Sequence, residues 1–234
     1  DIGTVSEIRK VAEQYEIPIY EMELTAQFRC SGAEGYINWL NDVLQLKETA
    51  NYDGWDKKSF EFKIFDNPNE LREAINKKSK QDFSARILAG YAWKWSSPEE
   101  GNNDGEVEDV LIPEYDFSMP WNSRKVGTTW AIDQRGIDQV GCIHTSQGLE
   151  FDYVGVIVGD DLNFNEDEML FSTDHTKYKD KTGKKGMQDK PEELNRLVRN
   201  IYKVLMTRGM RGCYVYFTDK KLEEYFKKRM NLVS

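Results

Sequence analysis

Apolar and polar residues change period several times along this chain, and each change marks a change of element. Between residues 5 and 16, Val5, Ile8, Val11 and Ala12 recur at the spacing of one helix face. The stretch IPIYEMEL at 17–24 then alternates as a strand does and runs into TAQFRCSG. Helical spacing returns over 33–46, where Tyr36, Ile37, Leu40, Val43 and Leu44 share a face. SFEFKIFD at 59–66 puts Phe60, Phe62 and Ile64 on one side of a half-buried strand. Asn67 followed by Pro68 has the form of an N-cap with proline at the first helical position, which predicts a helix over 67–81. SARILAGYAWKW at 84–95 reads as another strand.

Periodicity then lapses from 96 to 129, a polar stretch with two acidic, glycine-rich turns that predicts an irregular insertion with a short hairpin at most. The chain returns through WAIDQRGIDQVGCIHTSQGLEF to an apolar strand, YVGVIVG, at 153–159. A second polar loop spans about 160–190. A long helix over 191–209, a strand GCYVYF and a terminal helix KKLEEYFKKRMN complete the pattern. Strands alternating with helices at these spacings predict an α/β sandwich with a mainly parallel sheet and irregular insertions near 96–130 and 160–190. Ligands of such folds bind beyond the carboxyl ends of the strands.

Charge and cysteine usage narrow the picture. With 32 Lys and Arg against 41 Asp and Glu the net charge is −9, which argues against a broad nucleic-acid face but leaves room for a narrow groove. Basic residues gather in HTKYKDKTGKKGMQDK at 175–190, read here as a solvated loop. No apolar run reaches the length of a membrane helix and the start carries no secretory pattern, so no membrane partner is expected. Cys30, Cys142 and Cys213 form no paired motif, which fits a reducing cytoplasm. Only two histidines occur, His144 and His175, and no metal site is expected on this chain. The opening at Asp1, without methionine, reads as the start of a piece of something longer.

Three clusters carry candidate chemistry. In Gln27-Phe28-Arg29, between a strand and a helix, the arginine offers five donors in a rigid fork suited to phosphate; a surface ion pair is the plain alternative. In HTSQGLEF, 144–151, Gln147 can donate and accept, Gly148 permits close backbone approach, and Glu150 can accept from a ribose hydroxyl; a capped turn into a core strand is the alternative. In Thr207-Arg208-Gly209 the arginine ends an apolar helix, where the helix dipole favours a cation in any case. Arg211, three residues on, could face the same phosphate.

Taken in this order and spacing, the three clusters resemble the second motor domain of superfamily-one helicases, whose pattern is Asn/Gln-aromatic-Arg, then H-x-x-[KQ]-G-x-E-F, then a helix ending in T-R-[AG]. LTAQFRCSG, PWN, VGCIHTSQGLEFDYVGVIVG and YKVLMTRGMRGCYVY resemble most closely a bacterial group of ATPases carried as a domain of unknown function and related to Schlafen-type helicase domains. The resemblance spans nearly the whole chain. It implies a RecA-like three-layer sandwich over 21–234, with 1–20 as the tail of a preceding RecA-like domain and the crossover. It also implies ATP and Mg2+ held mainly by that preceding domain, with Arg29 and Arg208 on the γ-phosphate, where an arginine can be worth ~10³–10⁵ in rate. Glu150 would hold the ribose, Gly148 would admit the nucleotide, Gln147 would link nucleotide to strand, and Gln27 would aim Arg29. His144 and Thr145 would lie toward a DNA or RNA strand. Trp93, Trp95, Trp121 and Trp130 offer π faces for bases, Trp121 of the PWN motif foremost, although packing is the favoured reading for most of them.

This sequence also departs from the family pattern. Cys142 stands where many members carry a phosphate-contacting threonine, and a thiol is a poor donor. No G-x-x-x-x-G-K-[ST] occurs, and TGKKG at 182–186 does not replace it. Asp160 and Asp161, after the apolar strand, read as its polar exit and not as a metal-binding box. The phosphate loop is therefore expected upstream of residue 1, and this chain alone is not expected to hydrolyse ATP. A rival reading is a non-catalytic scaffold module that holds a protein through the acidic loops at 96–116 and 160–174. A self-contained hydrolase built on His144 lacks a nucleophile with a placed base.

Overall fold

Asn67 caps a helix as its sequence predicts. In a computed structural model that describes residues 5–20, 30, 33–48, 54–96, 107–122 and 129–233, its side chain accepts the Asn69 amide at 2.8 Å, and Pro68 opens the helix. The helices are α1 (Val5–Gln14), α2 (Glu34–Val43), α3 (Pro68–Ser79), α4 (Pro191–Met206) and α5 (Lys220–Asn231). The strands are β1 (Glu61–Phe65), β2 (Ala85–Ala89), β3 (Val110–Ile112), β4 (Phe117–Met119), β5 (Val140–Gly141), β6 (Phe151–Val158), β7 (Asn163–Asn165), β8 (Leu170–Ser172) and β9 (Gly209–Phe217).

Five of these strands form one sheet in the order β1-β9-β6-β2-β5, and every pairing in it is parallel. The alternation within β6 sorts its side chains between two cores. Val154, Val156 and Val158 pack with α2, α4 and α5, whereas Tyr153 and Ile157 face α3 and the β3–β4 hairpin. Gly155 lies on the α3 side because the helix sits close. A Cβ there would come within 2.9 Å of Ile75 Cγ1 and Leu71 Cδ2. Helices thus cover both faces of the parallel sheet in three layers, the expected α/β sandwich.

Several element boundaries differ from the sequence reading. The strand expected over 84–95 ends at Ala89, and residues 90–95 have no regular structure. Of the strand expected at 17–24, residues 17–20 have no regular structure and 21–24 lie outside the described residues. The polar loop at 160–190 contains the β7–β8 hairpin, which Phe164 pins by stacking on Tyr225 of α5 at 4.1 Å between ring centres. Its remainder is anchored by Tyr178, which is buried, so 175–190 is more than a solvated excursion. Helix α1 forms, yet Ile8 and Val11 on its apolar stripe are exposed.

Candidate functional site

The turn that joins β5 to β6 is built by its own polar side chains. Thr145 Oγ1 accepts the Cys142 amide at 2.7 Å and lies 3.0 Å from the Cys142 carbonyl and 3.2 Å from Asn122 Oδ1. The amides of Ser146, Gln147 and Leu149 donate in succession to the carbonyls of Cys142, His144 and Ser146. Gly148 then reverses the chain at a φ of +75°, a conformation that favours glycine, and a Cβ there would meet open space. Gln147 and Glu150 are exposed.

Because β5 and β6 run parallel, the turn descends from the carboxyl edge of the sheet to its amino edge. Arg208 stands at that same amino edge, just before β9. Its carbonyl accepts the Phe151 amide at 2.9 Å, and its Nη1 donates to Leu149 O at 3.3 Å. Glu150 and Arg208 therefore share the amino edge, opposite the carboxyl ends at which the sequence reading expects a ligand. A cleft of about 440 Å³ runs from Arg208 to His144, bordered also by Gln147, Ile201, Val204 and Tyr178.

Gln27 and Arg29 lie outside the described residues. Cys30, which follows Arg29 in sequence, is buried, and its thiol faces the carbonyl of Thr207, the residue before Arg208, at 3.9 Å. Arg211 does not join Arg208. It pairs with Asp152 at 3.0 Å and lies 5.1 Å from the Phe83 ring centre.

Trp121 requires correction as a base-stacking residue. It is fully buried, edge-on to Tyr91 at 4.9 Å, and no ring face is left for a base. Trp130 is buried against Phe151. Trp93 and Trp95 instead remain partly exposed at the carboxyl edge. His144 is exposed there too, 3.8 Å from Asp180 and edge-on to Tyr91 at 5.9 Å.

Asp160 and Asp161 diverge, as a strand exit would have them. Asp160 pairs with Lys177 at 3.3 Å, and Asp161 turns inward to accept from the Tyr202 hydroxyl at 2.5 Å. Burial pushes the Asp161 carboxyl up to about 7, against the downward pull of that hydrogen bond. Sequence reasoning missed this buried pair, because either aspartate of Asp160-Asp161 at a strand end looks the same whether it faces in or out. Among the described residues no group of three or more His, Cys, Asp and Glu side chains is placed to hold a metal ion. No helix among them is long and apolar enough to cross a membrane.

Residues 1–219 match the family model described as the Schlafen group 3, DNA/RNA helicase domain. The chain is also 29% identical over 218 residues to the uncharacterized protein YPL245W of Saccharomyces cerevisiae, a match that covers 86% of this chain and 46% of that protein. The chain thus spans about half the length of the curated relative it matches. No solved structure matches it.

Proposed function

Because this chain belongs to the Schlafen group 3 DNA/RNA helicase domain family, we propose that it is the second, RecA-like motor half of an ATP-dependent helicase or translocase-like protein. In this reading it closes on a nucleotide held mainly by a preceding domain. One observation carries the reading. The amino edge of the sheet gathers Arg208, Gly148 and Glu150 from remote parts of the sequence, and Cys30, the neighbour of Arg29, lies against Thr207, the neighbour of Arg208.

The roles follow from the chemistry of each group. The guanidinium of Arg208, with that of Arg29, neutralises charge on the transferring phosphoryl group. Glu150 accepts from the ribose hydroxyls, and the open space at Gly148 admits the nucleotide to the backbone. ATP and Mg2+ supply the phosphoryl chemistry, and the Mg2+ belongs to the preceding domain. Gln147 lines the cleft between Arg208 and His144, where it can sense the nucleotide on one side and the strand-facing edge on the other. The exposed stripe of α1, Ile8 and Val11, fits a crossover whose apolar face is covered by that domain.

The test is Arg208→Ala in the full-length protein. ATP turnover is expected to fall by ~10³ or more while fluorescent ATP-analogue binding persists. Arg208→Lys should fall nearly as far, since a point charge lacks the fork. Unchanged turnover in either variant, with the melting temperature retained, overturns the role.

A further inference from the structure

At the carboxyl edge of the sheet, a groove of about 740 Å³ walled by Tyr91, Trp93 and Trp95 belongs to the strand side of the motor reading. The amino edge holds a group that this reading leaves unused. Tyr36, which the sequence shows only as part of an apolar helix face, is fully buried on α2, and its hydroxyl donates to Met206 O at 3.1 Å. Met206 is the last residue of α4 and stands two positions before Arg208.

A helix leaves its last four carbonyls without partners of its own, and at this helix end each one is met. The Thr207 amide donates to Lys203 O at 3.0 Å, the Thr207 hydroxyl to Val204 O at 3.1 Å and the Arg208 amide to Leu205 O at 3.2 Å. These three bonds are local and fix the helix end only relative to itself. Met206 O is met instead by Tyr36, 170 residues away in sequence, and that bond fixes the helix end relative to α2. The Cys213 thiol of β9 adjoins the same phenol. Tyr36 thus touches the chain on both sides of Arg208, whose Nη1 rests on Leu149 O at 3.3 Å.

Packing alone does not call for the hydroxyl. The Tyr36 ring lies among Phe60, Trp55, Phe62 and Trp39, at 4.2, 5.3, 5.7 and 6.1 Å between ring centres, where a phenylalanine ring would fit as well. A buried hydroxyl is costly unless it is hydrogen-bonded, and this one is aimed at a single carbonyl. A ring clamped by four others at one end and a helix terminus at the other make a strut. We propose that Tyr36 is a positioning residue for Arg208: it holds the end of α4 at a set distance from α2, so that the guanidinium meets the transferring phosphoryl group. The proposal rests on the motor reading, in which Arg208 contacts the γ-phosphate. A misplacement of about 1 Å at such a group can cost ~10² in rate.

Tyr36→Phe in the full-length protein removes the oxygen and keeps the ring. Its matched control is Tyr225→Phe, since that buried phenol donates to Val43 O at 3.0 Å, a bond of the same kind at the end of α2. Both variants should lose a similar amount of melting temperature, and turnover is compared at the same interval below each midpoint. Only Tyr36→Phe should lower kcat, by roughly ten- to a hundredfold, with KM for ATP unchanged. ADP with aluminium fluoride, a stand-in for the transferring phosphoryl group, should bind Tyr36→Phe more weakly than it binds the parent protein, while ADP alone binds both equally. Equal turnover in the two variants, or undiminished affinity of Tyr36→Phe for ADP with aluminium fluoride, overturns the positioning role. Where Arg208→Ala abolishes turnover, that outcome leaves the motor reading standing. Normal turnover in Arg208→Ala removes both.

Discussion

A single phenolic oxygen, that of Tyr202, accepts the Gly159 amide at 3.0 Å and donates to Asp161 at 2.5 Å. The carboxyl it meets titrates near 7 in the folded chain because burial disfavours the charge, whereas an unfolded aspartate titrates at about 3.9. The folded state thus holds a proton that the unfolded state releases, and stability falls as pH rises from about 4 to 7. This one group contributes up to about 1.4 kcal/mol per pH unit in that window. Asp161→Asn, which keeps an acceptor for Tyr202, should flatten the dependence; an unchanged pH profile in denaturant titrations would contradict the assignment. Glu61 works with the opposite sign. Burial raises its carboxyl, but Lys63, Tyr214 and Lys78 hold it down to about 2, so its contribution is lost as pH falls from about 4 toward 2.

At the scale of elements, the legible parts were those with a local signal. Asn67 and Pro68 announced α3, the apolar stripes announced α2 and α4, and the valines of β6 announced a buried strand. The β7–β8 hairpin was not legible, since three-residue strands in a polar stretch owe their order to Phe164 and Phe171 packing on α5, a tertiary effect. The end of β2 was missed for a similar reason. AGYAWKW alternates well enough for a strand, but past Ala89 its rings turn to wall a groove. Gly155→Ala tests the close approach of α3 to β6. Its new methyl group would crowd Leu71 and Ile75 and is expected to cost about 1–3 kcal/mol in chemical denaturation, more than a helix-surface change such as Glu73→Ala.

Across the whole molecule, the order of the candidate residues was readable but their placement was not. HTSQGLEF reads as one cluster in the sequence, whereas its two ends lie at opposite edges of a parallel sheet, a separation set by β2 and β9, which no local pattern encodes. The apolar stripe of α1 was readable too, while its exposure was not. Ile8→Ser with Val11→Ser should shift the stability of this chain by no more than about 0.5 kcal/mol. In the full-length protein, where the proposed preceding domain covers that face, the loss should be about 2 kcal/mol or more; equal shifts in the two would leave α1 without a covering partner. The imidazole of His144 and the carboxylate of Asp180 border both the cleft at Arg208 and the groove at Trp95. Two compartments with a party wall of two side chains are not furnished independently, for an occupant that presses on the partition from one room reshapes the other.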